Sequence, residues 1–180
     1  MSQRFTAEHW AAAPLPRVFA FFTDPHNLPR LMPPSQGARL VKLNLVPPRF
    51  SAGSAPADAV QMAGVGTEII LKFRAIPHVP MHEKWTALIT GFSLNEYFSD
   101  TQKQGPFRRW EHTHMFASEI VNGREGTLIS DLVEYEVGFG VIGTTLEKLI
   151  FQRMLHKMFD YRKRALGRIF GSDQTPNTGR

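Results

Sequence analysis

The chain of 180 residues contains no cysteine. That absence excludes disulfide staples, thiolate zinc sites and a cysteine nucleophile. No segment approaches the ~18 consecutive apolar residues of a membrane-spanning helix. The opening MSQRFTAEHW lacks a basic stretch followed by an apolar one, so no secretory signal is read there and a cytoplasmic protein is expected. There is no G-x-S-x-G elbow, and Ser51 and Ser54 fall in an irregular stretch, which leaves serine-triad chemistry without support. Gly64-Val65-Gly66 and Gly138-Phe139-Gly140 lack the spacing of a phosphate loop and read as turn or bulge glycines. No internal repeat is present.

What is there suits one domain. The length lies inside the usual single-domain range, and 42% hydrophobic residues with 21% charged ones exclude global disorder. The formal net charge is +5. Its excess of Lys and Arg sits between Gln152 and Arg168, and the rest of the chain is close to neutral. Residues 1–171 read as the folded unit, and SDQTPNTGR, small and polar, as a flexible tail over 172–180.

Arg4–Trp10 alternates and predicts a strand. Pro14 opens a short helix with Val18, Phe19 and Phe22 on one face, because the missing proline N–H needs no partner in a first turn. A second short helical piece, PHNLPRLMPP, closes at Pro33-Pro34. Ala38–Val46 predicts a strand with Val41, Leu43 and Leu45 on one face. Pro47–Gly66, rich in Pro, Gly, Ala and Ser, is a long loop whose Val60, Met62 and Val65 suggest that it covers something. From Gly66 the period becomes two and stays so through an antiparallel meander. From Val141 to Phe170 the spacing is helical, with Ile142, Leu146, Leu149, Ile150, Met154, Met158, Tyr161, Ala165 and Ile169 as its apolar stripe. The expected class is α+β: a curved antiparallel sheet of six or seven strands around one long C-terminal helix, with two short helices after the first strand.

Period two also sorts the polar residues of the meander. Trp110, His112, His114 and Phe116 share one face, which the aromatics mark as inward. Asp131 and Tyr135 fall on the same face as Ile129 and Val133. Glu96, Phe98, Asp100 and Gln102 form a third inward set, and Glu83 goes with Trp85. Several ionisable groups in one interior need partners, and such clusters mark candidate sites. Four readings compete: a structural network locking strand register, the polar end of a ligand pocket, a His–Asp general base, and a metal site using His112 and His114. No other residues carry metal-ligand spacing, so neither metal nor cofactor is expected. Phe73, Trp85, Phe98, Trp110 and Phe116 would give apolar walls, joined by Met154 and Met158, which suit core or an adaptable pocket.

Arg153, Lys157, Arg164 and Arg168 fall along one side of the last helix. A solvated face is the default reading, and contact with an anionic membrane surface is the alternative. Nucleic acid is not expected as a partner, since exposed aromatics do not interleave with these charges and no reader motif occurs. Oligomeric state is not readable.

The block VFAFFTDPHNLPRLMPP resembles the start of the START-like superfamily, also called SRPBCC, which includes the birch pollen allergen proteins and aromatic polyketide cyclases. FSDTQKQGPFRRWEHTHMF, GTLISDLVEYEVGFGVIG and Phe159-Asp160-Tyr161-Arg162 resemble its bacterial ligand-binding, cyclase/dehydrase-like subgroup. The resemblance runs from about Phe5 to Phe170 and implies a helix-grip fold with a cavity between sheet and helix. It implies a small hydrophobic ligand, lipid-like or aromatic, as the partner. Phe73, Glu83, Trp85, Phe98, Asp100, Gln102, Trp110, His112, His114, Phe116, Asp131, Tyr135, Met154 and Met158 would line its site. The alternative is a polyketide cyclase/dehydratase-type enzyme, with His112 or His114 as base, Asp131 or Asp100 orienting it, and Tyr135 donating to an enolate.

Overall fold

A computed structural model describes residues 2–74, 83–105, 107–137 and 145–171, with the backbone alone at 83 and 145–150. Seven strands form one antiparallel sheet: β1 (Gln3–Ala11), β2 (Arg39–Asn44), β3 (Glu68–Phe73), β4 (Glu83–Ser93), β5 (Tyr97–Gln104), β6 (Phe107–Val121) and β7 (Arg124–Val137). Their spatial order is β1-β7-β6-β5-β4-β3-β2. Two α-helices, α1 (Leu15–Thr23) and α2 (Thr145–Phe170), and short 3-10 turns at Pro25–Leu31, Pro34–Gln36 and Ala59–Gln61 complete the fold.

The meander closes by hairpins whose residues explain their turns. Val121 pairs with Arg124, leaving Asn122 and Gly123 as a two-residue loop, both at positive φ (51° and 75°). Asn-Gly is the favoured pair for that geometry, because it matches the right-handed twist of the flanking strands. Alternation then buries Trp110, His112, His114 and Phe116 on β6, and Ile129, Asp131, Val133 and Tyr135 on β7. On β3 and β4, Ile69, Leu71, Phe73, Trp85, Ala87 and Ile89 are buried in the same way.

At three places the local pattern departs from strict alternation. A bulge between Leu40 and Lys42 turns Val41 out to solvent, so Leu40 and Leu43 are the half-buried residues of β2. Glu96 lies in the β4–β5 turn, exposed, and accepts from the Ser93 hydroxyl at 2.6 Å instead of joining Phe98 on the inner face. In the segment 47–66, Met62 and Ala63 are buried while Val60 and Val65 face solvent. The end of that segment is tied down: the N–H of Ala63 donates to Thr23, that of Gly64 to Val46 and that of Gly66 to Ile89.

Helix α2 spans 26 residues, ~39 Å at 1.5 Å per residue, and lies across the concave face. Its buried side chains are Leu155, Phe159, Arg162, Ala165 and Leu166, with Phe151, Met154, Met158 and Tyr161 half-buried. The buried stripe is therefore rotated by about one residue from the one spacing predicts, and it contains an arginine. Burying Leu155, Phe159 and Leu166 contributes on the order of 1.5–3 kcal/mol each. Arg153, Lys157, Arg164 and Arg168 are exposed. The helix ends at Gly171 (φ +88°), whose carbonyl accepts from Ala12 N–H and so fastens the helix end to the end of β1. The tail over 172–180, the Gly138–Gly140 turn, Ile142 and the side chains of Leu146, Leu149 and Ile150 lie outside the described residues. No described helix is long and apolar enough to cross a membrane.

Candidate functional site

A cavity of about 140 Å³ lies between the concave face of the sheet and the 3-10 turns, α1 and α2. Sheet residues Ile69, Leu71, Phe73, Trp85, Ala87, Ile89, Phe98, Phe107 and Trp110 give its floor. Phe22, Leu28, Leu31, Met32 and Ala63 close one side, and Phe151, Met154, Leu155 and Met158 of α2 the other. The charged and imidazole groups of the wall gather in one corner: Asp100, His112, His114 and Arg162.

Strand register builds that corner. Asp100 on β5 stands opposite His112 on β6, and His114 stands opposite Asp131 on β7. The two imidazoles are 3.9 Å apart between ring centres. His112 Nε2 and Asp131 Oδ1 form a hydrogen bond of 3.0 Å, while His112 Nδ1 faces Asp100 Oδ2 at 3.7 Å. His114 Nδ1 is 2.6 Å from Asp131 Oδ1 but poorly aligned as a donor, and its ring stacks on Phe98 at 4.4 Å. From α2, the Arg162 guanidinium donates to Asp131 Oδ1 at 3.2 Å and rests on the Phe159 ring. His9 of β1 approaches the other carboxylate oxygen at 3.9 Å from behind.

Electrostatics divide the cluster. Burial alone raises the Asp131 carboxyl, but His114, Arg162 and the hydrogen bond with His112 outweigh it and hold the group well below the usual carboxylate range. Burial pushes His114 down to about 3, with the neighbouring His112 adding to the effect. His9 is lowered by burial against the pull of Asp131. Asp100 is raised by burial, with His112 and Arg162 opposing. At neutral pH the corner thus holds an ionised Asp131 paired with Arg162, and neutral imidazole at His114. A His112 ring hydrogen-bonded to a buried carboxylate is a competent proton acceptor, and a guanidinium beside it suits a developing oxyanion.

The sequence-derived site residues separate into groups. Phe73, Trp85, Phe98, Asp100, Trp110, His112, His114, Met154 and Met158 line the cavity. Asp131 stands behind the histidines rather than in the wall, and acts on the corner through them. Tyr135 is fully buried against Phe107 and Trp110 and is not a wall residue; period two gives the face, not the depth at which a side chain meets the cavity. Phe116 packs behind Phe98 and Phe22 in the core. The Gln102 amide instead clamps the β5–β6 connection, donating to the Phe107 carbonyl and accepting from its N–H. The Glu83 side chain lies outside the described residues.

Arg162 and His9 are the polar residues of the cluster that spacing missed. Each had a signal. Arg162 shares the Leu155-Phe159-Leu166 stripe at i+7, and His9 shares the Phe5-Ala7 face of β1.

The sequence matches the family described as "Polyketide cyclase / dehydrase and lipid transport" over residues 11–160. No curated protein matches it. Among solved structures, TTHA0849 from Thermus thermophilus is 19% identical with a TM-score of 0.57, over 93% of this chain and 99% of that one. CV1439 from Chromobacterium violaceum is 15% identical with a TM-score of 0.58, over 94% and 98%. A Thalictrum flavum norcoclaurine synthase point mutant, in complex with a transition-state analogue, is 16% identical with a TM-score of 0.55, over 94% and 96%. Identities this low speak for the fold, and function has to be argued from the site. A family match running from the end of β1 well into α2, on a seven-stranded sheet that grips one long helix, makes this chain a member of the polyketide cyclase/dehydrase and lipid transport family of the START-like (SRPBCC) superfamily.

Proposed function

We propose that the chain binds a small, largely apolar molecule between sheet and α2, with the polar end of that molecule at Asp100, His112, His114 and Arg162. The observation that carries this reading is the segregation of the cavity wall: aromatic and aliphatic side chains nearly all round, with the ionisable groups in one corner. That is the usual make-up of a small-molecule pocket, where apolar contact supplies affinity and a few polar groups fix orientation. Size narrows the class. A dry apolar cavity of ~150 Å³ accepts benzene, so about 140 Å³ holds roughly one ring before any wall moves. A lipid-like or polycyclic ligand requires the methionines of α2 to re-pack, which their flexible side chains permit.

The direct test is native mass spectrometry of the tag-free protein purified from its own host, together with titration of an apolar fluorophore. A co-purified apolar molecule that the fluorophore displaces supports the reading. Absence of both a co-purified molecule and fluorophore binding overturns it.

The hydrogen bond between His112 and Asp131 favours a second reading, a cyclase/dehydratase-type enzyme in the same cavity. His112 would remove a proton next to a carbonyl, Asp131 would hold the ring, and Arg162, in place of the remote Tyr135, would face the enolate. A carrier loses ligand affinity on substitution of His112 and His114 by Ala. An enzyme keeps much of that affinity and loses turnover.

A further inference from the structure

Asp100, His112 and His114 each offer one ligand atom, and the three atoms lie within 4.8 Å of one another; no other such trio occurs among the described residues. We infer that these three side chains form a binding site for a single first-row divalent cation, open toward the cavity. This goes beyond the proposed ligand-binding function and rests on it only in using the same cavity.

Four observations converge on it. The donor set is two imidazoles and one carboxylate, the combination that open zinc and iron(II) sites use while keeping positions free for an oxygen of substrate or water. The strands preposition the three groups, since Asp100 and His112 are cross-strand partners and His114 is two residues along the same face. Asp131 engages His112 Nε2, which leaves His112 Nδ1 directed at Asp100, 3.7 Å away. A buried carboxylate behind a ligating histidine is the arrangement that fixes tautomer and ring orientation at metal sites. Finally, the charges suit it: Arg162 is balanced by Asp131 at 3.2 Å, so Asp100 is the carboxylate left to meet the cation.

Bonds of ~2.0–2.2 Å place two ligand atoms about 3–3.6 Å apart, so the trio must close by about 1 Å on binding. Asp100 and His112 already nearly meet that span. A ligand filling the open positions would present an oxygen donor, such as a carboxylate, phenolate or β-dicarbonyl, ahead of its apolar body. This reverses the expectation of no metal drawn from spacing alone. Asp100 stands on a different strand, where no linear motif joins it to His112-x-His114.

The test is titration of the tag-free, chelator-treated full chain with Zn²⁺ by calorimetry and with Co²⁺ by visible absorption. The expected result is one ion per chain and cobalt ligand-field bands, both lost or greatly weakened in Asp100→Asn and His114→Gln. Asp131→Asn should weaken Zn²⁺ binding by the ~10–100-fold typical of losing an outer-shell partner. His26→Ala, in the exposed His26–Asp24 pair, should change nothing. Circular dichroism of each variant separates lost ligation from lost folding, and the wild-type titration stands whatever the variants do. Absence of stoichiometric binding by the wild-type chain overturns the inference, as does undiminished binding in a folded Asp100→Asn variant. Zn²⁺ uptake with neither fluorophore binding nor a co-purified molecule overturns the carrier reading alone. Fluorophore binding without Zn²⁺ uptake overturns the metal site alone.

Discussion

The guanidinium of Arg162 lies 3.2 Å from Asp131 Oδ1, both side chains being about 95% or more removed from solvent. A residue from the most basic stretch of the chain is thus the counter-charge of a buried carboxylate on β7, the strand next to the sheet edge. A buried pair of this kind adds little over an apolar replacement, yet removing one member strands the other.

Arg162→Met and Asp131→Asn should therefore each cost roughly 3–5 kcal/mol. The double variant should cost clearly less than the sum, because neither charge is left alone. Urea unfolding of the four proteins closes the cycle. Single substitutions that cost under about 1 kcal/mol, near the ceiling for exposed pairs, would show that the pair is not buried in solution.

Stability should fall as the pH is lowered from neutrality toward about 4.5. His114 is neutral in the native state, with its pKa pushed down to about 3, whereas an unfolded histidine titrates near 6.5. Between those values the unfolded chain takes up a proton that the native chain refuses, so acid favours unfolding. His9, also lowered, acts in the same sense. Asp100 is raised and opposes the trend below its own folded value, while Asp131, held low, adds to the loss at the acid end. Each histidine contributes at most about 1.4 kcal/mol per pH unit. His114→Phe, which preserves the stack on Phe98, should flatten the slope. Urea midpoints between pH 7 and pH 4.5 measure it, and a flat wild-type profile would contradict the buried neutral assignment.

Filling the cavity should abolish ligand uptake while leaving the fold. Ala87 is a buried wall residue next to Trp85 on the cavity floor. Ala87→Phe should eliminate binding of an apolar fluorophore at an overpacking cost of roughly 1–3 kcal/mol. Ala117→Phe, on the outer face of β6, serves as the control and should bind like wild type. Equal binding by both variants would place the uptake site elsewhere.

Gly64 packs its backbone directly against that of Val46 and Pro48. A Cβ there would sit 2.6 Å from Pro48 N and 2.9 Å from the Val46 carbonyl, both backbone atoms that cannot swing aside. Gly64→Ala should lower stability by roughly 1–3 kcal/mol and speed hydrogen exchange at Ala63, Gly64 and Gly66, whose N–H groups pin the segment. Exchange rates unchanged at those three amides would mean that the loop accommodates the methyl group.

Where one face is buried and the other wet, the residues announced their own placement. The inward set Trp110, His112, His114 and Phe116 could be read directly because period two is exact in a strand and one slip would expose two aromatics. Bulges and turns escaped, since a single extra residue at Val41 or a turn at Glu96 reverses the phase without marking the sequence. Helical phase was harder still. Methionine and tyrosine, which tolerate partial burial, pull the predicted stripe of α2 toward Met154, Met158 and Tyr161, which leaves Arg162 off it and inside the basic stretch Gln152–Arg168. The i+7 spacing from Leu155 puts Arg162 on the buried stripe only once the phase of the helix is known. Its partner there is Asp131, thirty-one residues earlier.

The hydrogen bond between Ala12 and Gly171 sets how the cavity can grow. It fixes one end of α2, as do the edge-on contact of Phe170 with Phe21 and the Arg162 pair nearby. The cavity-lining Phe151 and Met154 lie toward the opposite end. Admitting a guest larger than one ring should therefore disturb α2 least at its C-terminal turn and most around Phe151 and Met154, where the methionine side chain can re-pack. Under the proposed binding function, the clamped end would hold the polar corner in place, so the volume of a guest and the chemistry of its head group would be read by different halves of one helix.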